Sequence, residues 1–208
     1  MDADSLLEAV REDNRTALSR LGSSKSLYAD TKGEMDADTV LTAAADAEFA
    51  AAETFAQWAD AEPVEDVAAA FDESAAEERD HYDRVAAKLD DHDPGDISAI
   101  QAYLRGCDTT LERLGGFLGR TLAAEKSKEQ LVGFFVGQAD PKTSQLFREL
   151  GADLDDQLER VSALLEAHCD DERDWETAKT AAGAAIQAAY DEYTERLEGM
   201  GVNPKPVC

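Results

Sequence analysis

Apolar residues recur every three or four positions along most of the chain, and no segment alternates apolar and polar residues as a β-strand does. This spacing predicts five or six amphipathic helices. The predicted helices occupy, approximately, residues 6–21, 36–59, 63–89, 97–136 (with breaks near Gly106 and Gly115-Gly116), 141–168 and 175–197. Short connections join most of them, so neighbouring helices should run antiparallel. The sequence therefore predicts an all-α helical bundle.

Two of these helices carry charged or titratable groups inside their apolar stripes. On the third helix, Glu78 and His81 are in phase with apolar residues such as Phe71 and Val85. On the second helix, Glu48 is in phase with the apolar stripe that includes Phe55. A charge that enters a core without a partner costs much free energy. Either a bound metal ion or an internal hydrogen bond must therefore compensate these groups.

The spacing of these residues brings them to one level of the bundle. Glu78 and His81 form an ExxH pattern, which places both side chains on one helix face, one turn apart. Glu48 lies about as far before the turn near residue 62 as Glu78 lies after it, so antiparallel pairing puts them opposite each other. Glu125 stands 16 residues before Pro141 in a second hairpin. These four residues are the candidate metal ligands.

A glutamate on one helix and an ExxH pattern on the next resemble the ferritin-like superfamily, in particular rubrerythrin-type proteins. In this resemblance Glu48 matches the first glutamate, Glu78-Arg-Asp-His81 the first ExxH, and Glu125 the glutamate of the second hairpin. It implies a ferritin-like antiparallel four-helix bundle over residues 35–168, with an added N-terminal helix and linker (1–34) and a C-terminal helix and tail (169–208). It also implies iron or manganese as the metal, with Glu78 as a bridging carboxylate.

The second ExxH of the resembled family is missing from this chain. Alignment of the two hairpins puts Leu154 and Gln157 in its place, and a shifted alignment offers Asp156 and Glu159, which lie off the apolar stripe. The four remaining ligands predict one metal ion or an impaired pair. The expected function is a rubrerythrin-like protein with a partial non-haem metal site, acting in iron or in peroxide and oxygen chemistry. Whether it is an enzyme (a non-haem iron oxidoreductase) stays open. The alternative is a metal-free helical interaction or regulatory module.

The composition of the chain limits the kinds of partner that it can bind. The chain has 46 Asp and Glu against 20 Lys and Arg, a formal charge of −26, which repels nucleic acid backbones. Such an acidic surface is typical of a high-salt cytoplasm, where counterions screen self-repulsion within ~3 Å. No stretch approaches the ~20 apolar residues of a membrane span. We expect a homodimer or other homo-oligomer.

The chain termini and the cysteines predict a cytoplasmic protein. The N-terminal segment is acidic and has no signal-peptide pattern. Cys107, Cys169 and Cys208 are widely spaced and form no CxxC motif, which fits a reducing compartment. They also provide no rubredoxin-type iron site, so a redox function would need electrons from a partner protein.

Overall fold

The computed structural model describes residues 1–205, and this part of the chain folds into nine α-helices without a β-strand. The predicted all-α class is therefore confirmed. The helices are α1 (Ala3–Asp13), α2 (Arg15–Leu21), α3 (Ser24–Asp30), α4 (Ala37–Ala61), α5 (Glu65–Ala86), α6 (Ala99–Arg105), α7 (Thr110–Gly137), α8 (Pro141–His168) and α9 (Glu172–Gly199). Five of them, α4, α5, α7, α8 and α9, have 22 or more residues and form the body of the protein.

Local capping explains where several long helices begin. The Asp36 side chain accepts a hydrogen bond from the Thr39 amide at the start of α4. At the start of α8, Asp140 caps the helix and Pro141 takes the first helical position, as predicted. Thr109 forms a reciprocal capping box with Glu112 at the start of α7. These caps satisfy amide groups that the first helical turn leaves without partners.

Two helix pairs, α4 with α5 and α7 with α8, surround a common centre. Short connections, 62–64 and 138–140, make each pair antiparallel. Contacts between Glu48 and Lys128, and between Glu62 and Arg113, show that α4 and α7 also run antiparallel. The side chains at their interface therefore meet at defined levels along the bundle.

Residues 87–109 return the chain from the end of α5 to the start of α7. This crossover runs beside α4: the Gly95 amide donates to the Asp46 carboxylate at 2.8 Å, and the Trp58 indole donates to the Leu104 carbonyl at 3.1 Å. It includes the short helix α6. As a result α7 starts beside the end of α4, where Glu62 and Arg113 form a buried ion pair with a 2.9 Å contact.

Helix α9 packs directly on α7 through small residues. A Cβ atom added at Gly115 would lie 2.2 Å from the Ala178 carbonyl oxygen, and one added at Gly119 would lie 2.2 Å from the Ala182 carbonyl oxygen. The two backbones therefore come too close for any larger side chain. The predicted helix break near Gly115-Gly116 is wrong, because these glycines allow helix contact inside a continuous α7.

The N-terminal segment differs from the single predicted helix over residues 6–21. It divides at Asn14 into α1 and α2, and α3 follows. Leu6, Val10 and Leu18 are buried in the same apolar core as residues of α7 and α9. The core thus continues through residues 1–34, 35–168 and 169–205. None of the described helices is long and apolar enough to cross a membrane.

Candidate metal centre

Glu48, Glu78 and His81 meet at the centre of the two helix pairs. Glu48 lies in the middle of α4, and Glu78 and His81 lie one turn apart on α5. Each of the three residues has an exposed fraction of 1% or less. One ligand atom from each lies within 4.8 Å of the others. The in-phase positions in the sequence thus identified three polar groups that share one buried site.

The His81 ring is held at one nitrogen by Asp153, and its other nitrogen faces two glutamates. Its Nε2 atom lies 2.9 Å from Oδ2 of Asp153 on α8. Its Nδ1 atom lies 4.0 Å from Oε2 of Glu48 and 3.9 Å from Oε2 of Glu78. A carboxylate that accepts a hydrogen bond from one ring N–H fixes the tautomer and leaves a lone pair on the other nitrogen. With Nε2–H donating to Asp153, the Nδ1 lone pair points into the centre.

Two atoms in this centre are buried without a hydrogen-bond partner among residues 1–205: His81 Nδ1 and Glu48 Oε2. Both are closed off from solvent. A buried polar atom without a partner costs about 1–3 kcal/mol. Two such atoms facing each other indicate that something absent from the polypeptide, a metal ion or a proton, compensates them.

Arg120 of α7 neutralises Glu78. Its guanidinium donates to both carboxylate oxygens, at 2.7 and 2.8 Å, and to Gln157 Oε1 at 3.1 Å. Gln157 in turn donates to Glu78 at 2.8 Å. Burial raises the pKa of Glu78, but the positive charges of Arg120 and Lys128 outweigh it and lower that pKa to about 2. Glu78 is therefore ionised at neutral pH.

Lys128, about two turns further along α7, makes the corresponding contact with Glu48. Its ammonium group donates to Oε1 of Glu48, and its side chain is 7% exposed. Glu48 and Glu78 are thus balanced by two buried cations, Lys128 and Arg120. Such a pairing offsets part of the cost of burying the two carboxylates.

Glu125 does not join the centre. Its carboxylate lies on the α1 side of α7, 3.6 Å from the guanidinium of Arg11, and burial raises its pKa. Three of the four predicted ligands therefore come together in the structure, and Glu125 does not. Of the two positions aligned with the missing ExxH, Leu154 is a buried core residue, while Gln157 hydrogen-bonds both Glu78 and Arg120.

Arg120, Lys128 and Asp153 are site residues that the sequence reasoning missed. Arg120 has a recognisable signal, because it stands inside the otherwise uncharged run from Leu114 to Ala124. A charge in such a run requires a buried partner. Asp153 has no such signal, since it is one of many acidic residues on α8 and its side chain is 46% exposed.

A cavity of about 220 Å³ reaches the centre from the side of α3, α6 and α9. Glu48, Arg120 and Lys128 line its inner end. On the other side of α7, Lys128 also lines an open groove that contains Glu125. The buried ion pairs are therefore close to space that small solutes can enter.

These donors fit one metal ion and do not fit two. His81, Glu48 and Glu78 would hold this ion: Nδ1 lies 4.0 Å from Glu48 Oε2 and 3.9 Å from Glu78 Oε2, so small shifts of the side chains would bring the three atoms to bonding distance of one ion. A second ion would need carboxylates from α7 and α8, where this chain has Arg120, Lys128 and Gln157.

Comparison with known proteins adds no relative. No family model, curated protein or solved structure matches the chain. What can be inferred about its function therefore comes from the geometry of the centre.

Proposed function

We propose that this chain is a ferritin-like, rubrerythrin-type protein that binds a single divalent metal ion, iron or manganese, through His81, Glu48 and Glu78. The observation that carries the proposal is the pair of buried, unpartnered atoms, His81 Nδ1 and Glu48 Oε2, separated by 4.0 Å. One imidazole with two carboxylates is a donor set suited to these ions. The crossover 87–109 between two antiparallel pairs is the support for the ferritin-like arrangement.

The side chains around this site have separable roles. Asp153 orients the imidazole, so that the neutral Nδ1 faces the centre. Arg120 and Gln157 hold the Glu78 carboxylate in one orientation. Lys128 and Arg120 pair with Glu48 and Glu78 and add cations rather than ligands, which limits the centre to one ion. Bound iron or manganese would supply one-electron redox chemistry towards oxygen or peroxide, and the electrons would come from a partner protein.

A second candidate function, a metal-free helical interaction module, is favoured by the charge balance. If His81 is protonated, it forms with Arg120 and Lys128 a set of three cations. These face three carboxylates, Glu48, Glu78 and Asp153. Such a neutral network stabilises the bundle without a metal ion. The two candidates differ in whether Nδ1 of His81 carries a proton or binds a metal ion.

Metal titration separates them. Mn²⁺ and, anaerobically, Fe²⁺ are added to chelator-treated protein, and binding is followed by calorimetry and by the metal content after gel filtration. We expect one ion per chain in the wild type and none in His81→Gln. His168→Gln is the matched control, because His168 pairs with Asp66 away from the centre at 2.9 Å. Absence of binding in the wild type, with all three proteins folded, would leave the metal-free module.

A further inference from the structure

The cavity beside the centre has features of a binding site of its own. Its volume of about 220 Å³ exceeds that of an engineered protein cavity, about 150 Å³, which binds benzene. Aliphatic side chains form a large part of its wall. They include Leu21, Leu27, Ala44, Ile100, Ala124 and Leu131. A ligand with a short hydrocarbon chain would bury apolar surface there, which is favourable.

A buried amide supplies a polar anchor in the same wall. Gln101 of α6 is 4% exposed and lines the cavity. Its Oε1 atom has no hydrogen-bond partner among residues 1–205. An amide oxygen buried in this way is stabilised by any donor that reaches it. The ligand should therefore carry an N–H or O–H group.

The charges around the cavity determine which charge on the ligand is favoured. Five carboxylates and three cationic side chains line it, an excess of two negative charges. The three cations already have partners: Arg196 contacts Asp30 at 2.9 Å, and Lys128 and Arg120 contact Glu48 and Glu78. Asp96 at the rim makes no ion pair within the described part of the chain. A positive ligand is therefore favoured over a neutral or negative one.

We propose that this cavity binds a small aliphatic ammonium ion. Its ammonium group donates to Gln101 Oε1, which a rotation of the side-chain amide turns towards the cavity, and its alkyl chain packs against the aliphatic wall. Glu48, one of the proposed metal ligands, lines the inner end of the cavity. The inference does not require a bound metal ion, however, because Gln101 and the aliphatic wall take no part in the metal site and neither His81 nor Glu78 lines the cavity.

The test compares three probes of equal chain length: n-hexylammonium, 1-hexanol and hexanoate. Binding to chelator-treated protein is followed by calorimetry and by amide chemical shifts. We expect hexylammonium to bind about tenfold more tightly than hexanol, since a hydrogen bond from a charged donor is stronger than one from a neutral donor by roughly that factor. Hexanoate should not bind. Equal binding of all three probes, or binding of none, would overturn the proposal.

Variants of the cavity residues test where hexylammonium binds. Gln101→Leu should weaken hexylammonium about tenfold and hexanol by less, because the alcohol loses only a hydrogen bond between neutral groups. Gln187→Leu, at an exposed glutamine of α9, is the matched control. Ala124→Leu, which fills the cavity, should weaken both ligands. His81→Gln should leave hexylammonium binding unchanged, so that failure of the metal proposal and failure of this one are distinguishable. Unaltered hexylammonium binding in both Gln101→Leu and Ala124→Leu would overturn the assignment.

Discussion

The imidazole Nδ1 of His81 faces the carboxylate Oε2 of Glu48 at 4.0 Å, and both atoms are buried without a hydrogen-bond partner in residues 1–205. The separation is too long for a hydrogen bond and suits a bridging ion. On the opposite edge of the ring, Nε2 is fixed by Asp153. This arrangement gives the imidazole one orientation and leaves its free lone pair inside the protein.

Replacement of Asp153 tests the orienting role of its carboxylate. Asp153→Asn removes the negative acceptor but keeps the size of the side chain. We expect the affinity for Mn²⁺ to fall about 10–100-fold, because the tautomer of His81 is no longer fixed. Asp156→Asn, at an exposed position on the same helix, is the control and should bind as the wild type does. Equal affinities in the two variants would show that Asp153 does not support a ligand.

Replacement of Lys128 tests whether this cation competes with the metal ion. Lys128→Met removes the charge and leaves Glu48 buried without a partner. We expect a loss of about 3–5 kcal/mol in the unfolding free energy without metal. Mn²⁺ should bind this variant more tightly than the wild type and raise its melting temperature more. Lys126→Met is the control, since the ion pair that Lys126 makes within residues 1–205 is with Glu129, an exposed partner, at 2.6 Å. A variant that Mn²⁺ does not stabilise would contradict the competition.

The pH dependence of stability tests the ion pair between Glu78 and Arg120. The folded pKa of Glu78 is lowered from 4.5 to about 2, so the unfolded chain binds this proton more readily. The stabilisation by the pair is therefore complete above about pH 4.5 and is lost as the pH falls towards about pH 2. We expect the difference in unfolding free energy between wild type and Glu78→Gln to shrink over this range. Urea unfolding measures it, and the comparison cancels the titration of the acidic surface. A difference that is independent of pH would contradict the prediction.

The contact between α7 and α9 gives two substitutions with opposite expected effects. At Gly119, a new Cβ would lie 2.2 Å from the Ala182 carbonyl oxygen. Gly119→Ala should therefore separate the helices and cost about 1–3 kcal/mol. At Gly133 on the same helix, nothing lies within 4 Å of an added Cβ. Gly133→Ala should stabilise the protein by about 0.5–1 kcal/mol, because alanine favours the helix. Thermal unfolding compares them, and stabilisation by Gly119→Ala would contradict the packing.

The sequence predicted the parts of the site that lie on α5 and α4, because each of these helices has one buried face. On such helices, a polar residue in phase with the apolar stripe must be buried, as Glu48, Glu78 and His81 are. The hairpin turn near residue 62 then set their common level. The long helices α4, α8 and α9 also followed from apolar spacing and caps, within a few residues at each end.

Helix α7 could not be interpreted in the same way. All ten residues from Arg113 to Leu122 are buried, because α9 covers the side that faces away from the centre. Apolar spacing therefore does not show which side faces the other helices of the bundle. The distance of Glu125 from the turn before Pro141 predicts a position in the centre, but Glu125 lies on the α1 side of α7. Arg120 and Lys128 occupy the central side, which only the packing of α9 determines.

The protonation state of His81 tests the single-ion centre most directly. Two-dimensional ¹H–¹⁵N spectra of the imidazole, recorded at neutral pH on chelator-treated protein before and after addition of Zn²⁺ as a diamagnetic probe, distinguish both ring nitrogens. A single-ion centre requires a neutral ring with its proton on Nε2. It also predicts a Zn²⁺-dependent shift of Nδ1 that saturates at one ion per chain. A ring with protons on both nitrogens, unchanged by Zn²⁺, would contradict the single-ion centre and establish the metal-free network.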